Sequence, residues 1–143
     1  MTFNFLKVSC LVITLSFTYC ATICAQVHKE ETHLRSKQIV INSFEWTFDK
    51  TTGIARASII IANNSELEIK SITALFTGQA KNGVILQSSG IRTIRRKSVT
   101  ESILPDETKT IVIDKVFKNQ QLATLNLIQL EIVYANGSVE FIK

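Results

Sequence analysis

The side chains able to do covalent or acid–base chemistry are few and poorly spaced for it. Nucleophilic catalysis of the serine or cysteine kind needs a base within hydrogen-bond reach, normally histidine. The chain has 2 histidines, His28 and His33, both in the polar run 26–37, and 3 cysteines, Cys10, Cys20 and Cys24, all in the apolar stretch before it. A mobile tail does not hold an imidazole in attack geometry, so no catalytic residue is assigned. His28 and His33 with Glu30 and Glu31 offer ligands to a transition metal, but their spacing matches no ordered zinc motif, and neither metal nor cofactor is expected.

Candidates for a catalytic pair of carboxylates are Glu45, Asp49, Glu101, Asp106, Glu107, Asp114, Glu131 and Glu140. Most fall at outward positions of alternating strands or in turns, where a charge stays solvated, and nothing brings two together across a cleft as glycoside hydrolysis requires. Asp49, Asp106 and Glu107 lack the alternate-acid spacing of a calcium-binding hand, and no glycine-rich phosphate loop occurs. The expectation is a protein that is not an enzyme.

Two features are suited to binding. Arg92, Arg95, Arg96 and Lys97 form a basic run in a chain of formal net charge +4, and a polyanion such as an acidic glycan, nucleic acid or an anionic lipid surface would be drawn to it. The same run also reads as an edge strand whose charges deter sheet-to-sheet pairing. No aromatics interleave it as a base-stacking platform needs. Phe44, Trp46 and Phe48 would make a carbohydrate-stacking ribbon if exposed; three large aromatics in alternation are better placed in a core. Asn63 and Asn136 each begin a glycosylation sequon, and each also has turn chemistry.

The elements that must position these groups follow from length and periodicity. The chain has 143 residues, with 45% hydrophobic and 20% charged. Lys7 followed by the uncharged stretch 8–25, ending in Ala21-Thr22-Ile23-Cys24-Ala25, has the layout of a secretory signal peptide cut near Ala25. A retained membrane anchor is the competing reading, since the stretch is just long enough to span. Cleavage leaves a cysteine-free chain long enough for one domain held by burial alone. The expected setting is periplasmic or secreted, and the expected partner another envelope or extracellular protein.

Residues 26–37 carry no apolar period and read as a flexible linker, with the folded domain over 38–143. Phe44, Trp46 and Phe48 alternate with Glu45, Thr47 and Asp49 as a half-buried strand, and the isoleucine run 54–62 reads as a strand buried on both faces. Strands are also expected at 69–76, 84–86, 91–99 and 110–117, with a short helical turn at 119–124 the one helical candidate. Asn136-Gly137 as a two-residue turn pairs Tyr134 with Val139 and Ile132 with Phe141, placing Ile128, Leu130, Ile132, Tyr134, Val139 and Phe141 on one face. About seven short strands with frequent turns predict an immunoglobulin-like antiparallel β-sandwich.

Over 54–117 the order of features resembles the FxLYD-type and related immunoglobulin-like modules of bacterial exported proteins. The shared outline is an apolar strand, Asn64-Ser65 in a turn, the strand 69–76, Asn82-Gly83, then Leu104-Pro105-Asp106-Glu107-Thr108 before a late strand. The naming motif corresponds to Thr73-Ala74-Leu75-Phe76-Thr77, in which leucine matches, phenylalanine replaces tyrosine, and threonine stands for both the first aromatic and the final aspartate; Asp106 takes the place of the usual turn glycine. The resemblance implies a non-catalytic module.

Overall fold

A computed structural model describes residues 26–30, 34, 36–88 and 90–143. The signal-peptide reading, the three cysteines, His33, Glu31 and Arg35 lie outside the described residues. The strands in chain order are β1 (Gln26–Glu30), β2 (Ile39–Asp49), β3 (Ile54–Asn63), β4 (Ile69–Gln79), β5 (Gln87–Ser88), β6 (Ile91–Arg92), β7 (Ile94–Val99), β8 (Thr108–Lys118), β9 (Thr124–Tyr134) and β10 (Val139–Ile142). No helix occurs among the described residues.

Two antiparallel sheets form, in the orders β1-β2-β3-β8 and β10-β9-β4-β7, with a two-stranded ribbon β5-β6 beside them. The chain changes sheet between β3 and β4, between β7 and β8, and between β8 and β9, the crossed wiring of an immunoglobulin-like sandwich. Period-two alternation decides what lies between the layers. Phe44 and Trp46 from β2, Ile59 and Ile61 from β3, Phe76 from β4 and Leu130 and Ile132 from β9 are all buried, and the Phe44 and Phe76 rings meet across the sheets at 6.1 Å.

Several expectations need correction. Residues 26–30 are not linker: they pair with Phe44–Phe48 as an edge strand. Their own pattern is polar, and what holds them is backbone pairing to β2 and the inward side chains of His28 and Glu30, a tie that hydrophobic periodicity does not register. The isoleucine run is not buried on both faces, because Arg56 is exposed and Ile60 half-buried. Residues 119–122 make a turn closed by Leu122 N donating to Asn119 O (3.1 Å), not helix.

The C-terminal hairpin is one residue out of the expected register. Glu140 lies opposite Ile132 and Ile142 opposite Leu130, and Tyr134 N donates to Ser138 O (3.0 Å), leaving the three residues 135–137 as the loop. Gly137 takes φ 83° and Asn136 does not go left-handed, which gives a three-residue loop with a glycine bulge instead of the two-residue turn. The slip turns Val139 and Phe141 to solvent and Glu140 inward. There the Glu140 carboxylate accepts from Tyr134 Oη (2.6 Å) and from Ser36 Oγ (2.5 Å).

Candidate functional site

The basic run is divided by the pleat it sits on. Arg95 lies opposite Phe76 and Lys97 opposite Ala74, on the inward side of β7, whereas Arg96 lies opposite Leu75 on the outer face. The Arg95 guanidinium covers the Phe117 ring of the other sheet at 5.5 Å, closing that side of the sandwich. Arg96 pairs with Glu131 on the outer face at 2.8 Å. Arg92 is on the short ribbon strand β6, outside β7. The structure therefore gathers no single-sided patch from Arg95, Arg96 and Lys97.

The aromatic strand is core, as its alternation predicts, with one added feature. Trp46 is 2% exposed, and His28 stacks on it with ring centroids 4.3 Å apart and planes at 14°. The Trp46 indole N–H donates to Glu30 Oε1 at 3.2 Å. Phe48 is half-buried at the end of the same face. Asn63, read as a sequon start, is buried at 0% exposure, and its Nδ2 donates to the carbonyls of Leu67 (2.8 Å), Ile103 (3.1 Å) and Leu104 (3.2 Å). A glycan has no room on that amide.

Two adjoining features of the molecule are equipped to receive a partner. The first is backbone. β9 begins at Thr124, but β10 covers only Leu130–Val133 of it. Along Thr124–Gln129 no strand pairs with the edge of β9 that faces away from β4, among the described residues. Apart from a bulge at Ile128, where the pairing with β4 skips a residue, alternate residues there present N–H and C=O groups without a ladder partner.

The second feature is a cleft of about 620 Å3 at the end of this edge, between the two sheets. His28, Trp46 and Phe48 give it a flat aromatic wall, and Leu122 and Ala123 lie across from them. Lys50 from the β2–β3 turn and Lys81 from the turn after β4 stand at its rim with Gln120. The rim is held in place by backbone bonds: Asn119 N donates to Gly53 O (2.9 Å) and Ala123 N to Gln79 O (2.8 Å). Beneath it, Gly78 fits against Leu122, since a Cβ there would lie 2.6 Å from Leu122 Cδ1. The cleft is not legible in the sequence because the run holding His28 carries no apolar period; its one signal is the histidine and glutamate at alternate positions 28 and 30.

Acid–base perturbation lies elsewhere. The Asp49 carboxylate is held below its ordinary range by hydrogen bonds from the Thr52 hydroxyl (2.8 Å) and Thr51 N (2.8 Å). Glu68 is lowered by Lys70 and Ser102, and Lys109 raised by Glu101. Burial, then the bond to Glu140, raises the Tyr134 phenol. These are turn, surface and core contacts. Among the described residues no group of three or more His, Cys, Asp or Glu is placed to hold a metal ion, and no helix is long and apolar enough to cross a membrane.

No family model matches the chain, and no curated protein matches it. Among solved structures, the crystal structure of a DUF1425 family member from Shewanella sp. pv-4 is similar at 14% identity and TM-score 0.44, covering 70% of this chain and 83% of that one. The X-ray structure of Northeast Structural Genomics Consortium target SoR45 is similar at 14% identity and TM-score 0.43, covering 83% of this chain and 80% of that one. The sandwich assignment stands on the strand pairing of this chain itself.

Proposed function

We propose that this chain is an exported, non-enzymatic β-sandwich module of the cell envelope that binds another protein by taking one of its strands onto the free edge of β9. The observation that supports the reading is the length mismatch between β9 and β10, which leaves Thr124–Gln129 unpaired on one side. Strand addition draws its affinity from main-chain hydrogen bonds and its selectivity from side-chain pockets; this edge offers the first, and the cleft at its end is lined by Leu122 and Ala123. The leader-like stretch 1–25 supports export, and the resemblance to FxLYD-type modules supports a role without catalysis. β10 sets the row an incoming strand would extend, since its last pair, Ile142 with Leu130, ends next to Gln129.

Site-directed photo-cross-linking tests this. A photoreactive residue at Asn126, on the open edge strand, is expected to capture a discrete partner from envelope preparations, and one at Thr110 on the far edge strand β8 is not. Appending a strand-forming segment of about six residues after Lys143, long enough to fill the edge from within, is expected to abolish the Asn126 product. Equal capture from both positions, or capture unaffected by the appended strand, overturns the proposal.

A further inference from the structure

The cleft at the end of the β9 edge carries more information about the partner than the edge does. β10 runs antiparallel to β9, with Val139 opposite Val133 and Ile142 opposite Leu130. A strand continuing in that direction passes Gln129 first and brings its C-terminal end to Thr124. The next residue, Ala123, lines the cleft. Whatever follows the paired part of the incoming strand is therefore delivered to Lys50 and Lys81.

The charges at its rim have one sign. Among the described residues no aspartate or glutamate lines the cleft and neither Lys50 nor Lys81 enters an ion pair; the Glu30 carboxylate is held on the Trp46 indole N–H at the wall. The two ammonium groups come from different turns whose positions are fixed by the backbone bonds to Gly53 and Gln79, so a cationic rim stands ready without a segment having to fold. The His28–Trp46 stack and Phe48 add an apolar wall for the stem of a side chain.

We infer that the partner segment ends in an acidic stretch, with carboxylates seated between Lys50 and Lys81 while its preceding residues pair with Thr124–Gln129. The inference rests on the strand-addition reading and specifies its ligand as an extended acidic peptide. Oppositely charged rim groups steer encounter and fix the register of the added strand, since a slip by two residues moves the carboxylates off the lysines.

Peptide binding to the purified protein, with β1 retained, separates acidic specificity from strand addition. The probes are valine- and threonine-rich strands of about eight residues, amidated at the C-terminus, ending in two glutamates, two glutamines or two lysines. The glutamate peptide is expected to bind about tenfold more tightly than the glutamine peptide, and the lysine peptide more weakly than either. The advantage of glutamate is expected to shrink in high salt and to vanish in the double variant Lys50→Glu with Lys81→Glu, both positions being exposed and free of packing duties. Equal binding of the glutamate and glutamine peptides overturns the acidic specificity and leaves strand addition standing. If none of the three binds, or binding persists when the appended C-terminal strand occupies the edge, strand addition itself falls. Hydrogen-exchange protection of Thr124–Gln129 on adding the glutamate peptide is the expected signature of the pairing.

Discussion

Replacing Asn63 by alanine tests how the sandwich is closed at the end opposite the cleft. The side chain joins three pieces of chain: its Nδ2 donates to carbonyls of Leu67, Ile103 and Leu104, and its Oδ1 accepts from Ser65 N (3.1 Å) and Ser65 Oγ (2.6 Å). The cost is not five full hydrogen bonds. After truncation Leu67 O still accepts from Ser65 Oγ (2.9 Å), Ile103 O from Ile69 N (2.9 Å) and Leu104 O from Glu107 N (3.1 Å), so only Ser65 N is left buried without a partner. One orphaned donor costs about 1–3 kcal/mol, and the weakened carbonyl contacts add about another 1 kcal/mol, for a total of about 3 kcal/mol. With an unfolding entropy of about 2.1 cal/mol/K per residue over roughly 105 residues, that loss lowers Tm by about 12–15 °C. Differential scanning calorimetry of a reversible two-state transition reads it directly. Asn63→Asp sharpens the case: it keeps the acceptor for Ser65 but turns an oxygen towards three carbonyls, so at neutral pH it is expected to fall below the alanine variant. A Tm loss under about 3 °C for Asn63→Ala, or an aspartate variant as stable as the parent, refutes the reasoning.

Other expectations follow from particular contacts. Gly78→Ala places a Cβ 2.6 Å from Leu122 Cδ1 and 3.1 Å from Phe117 Cζ, and is expected to cost about 1–3 kcal/mol in denaturant unfolding; a neutral result would show that the rim loop gives way freely. Asp106→Gly relieves a left-handed residue (φ 61°) at the third position of the Leu104–Glu107 turn and is expected to gain about 0.5 kcal/mol; a loss of stability would mean that the aspartate does more than shape the turn. Asp49 titrates below its ordinary range in the fold, so its contribution is complete above the unfolded carboxylate pKa of about 3.9 and disappears as pH falls through the lower folded value. A carboxyl NMR titration giving Asp49 an ordinary or raised midpoint contradicts this.

Much of the architecture can be read from alternation. Phe44-Glu45-Trp46-Thr47-Phe48 places its aromatics inward as predicted, and the turn chemistry of Asp49–Gly53 and Leu104–Glu107 falls where the chain reverses. What escapes alternation is any element whose inward residue is polar. β1 is invisible because its inward residues are His28 and Glu30, whose partner Trp46 lies on another strand. The hairpin register fails for the same reason: pattern favours burying Val139 and Phe141, but the chain buries Ile142 and turns Glu140 inward, where Tyr134 and the distant Ser36 satisfy it. An inward carboxylate on the terminal strand β10 discourages indiscriminate pairing at its own open outer edge. The basic run was legible as a strand, and the pleat that divides Arg96 from Arg95 and Lys97 follows from period two; the partners Phe117 and Glu131 do not. The cleft combines a turn lysine, a second turn lysine and an edge strand separated widely in sequence, and only folding brings them together.

Residue-resolved hydrogen exchange of the protein without partner reports whether one edge of β9 stands unpaired over Thr124–Gln129. Amides of this stretch that point towards β4 are expected to exchange slowly, and those that point the other way at rates set by little more than solvent access. Slow exchange at every amide from Leu125 to Gln129 would mean the edge is already covered, and would contradict the account.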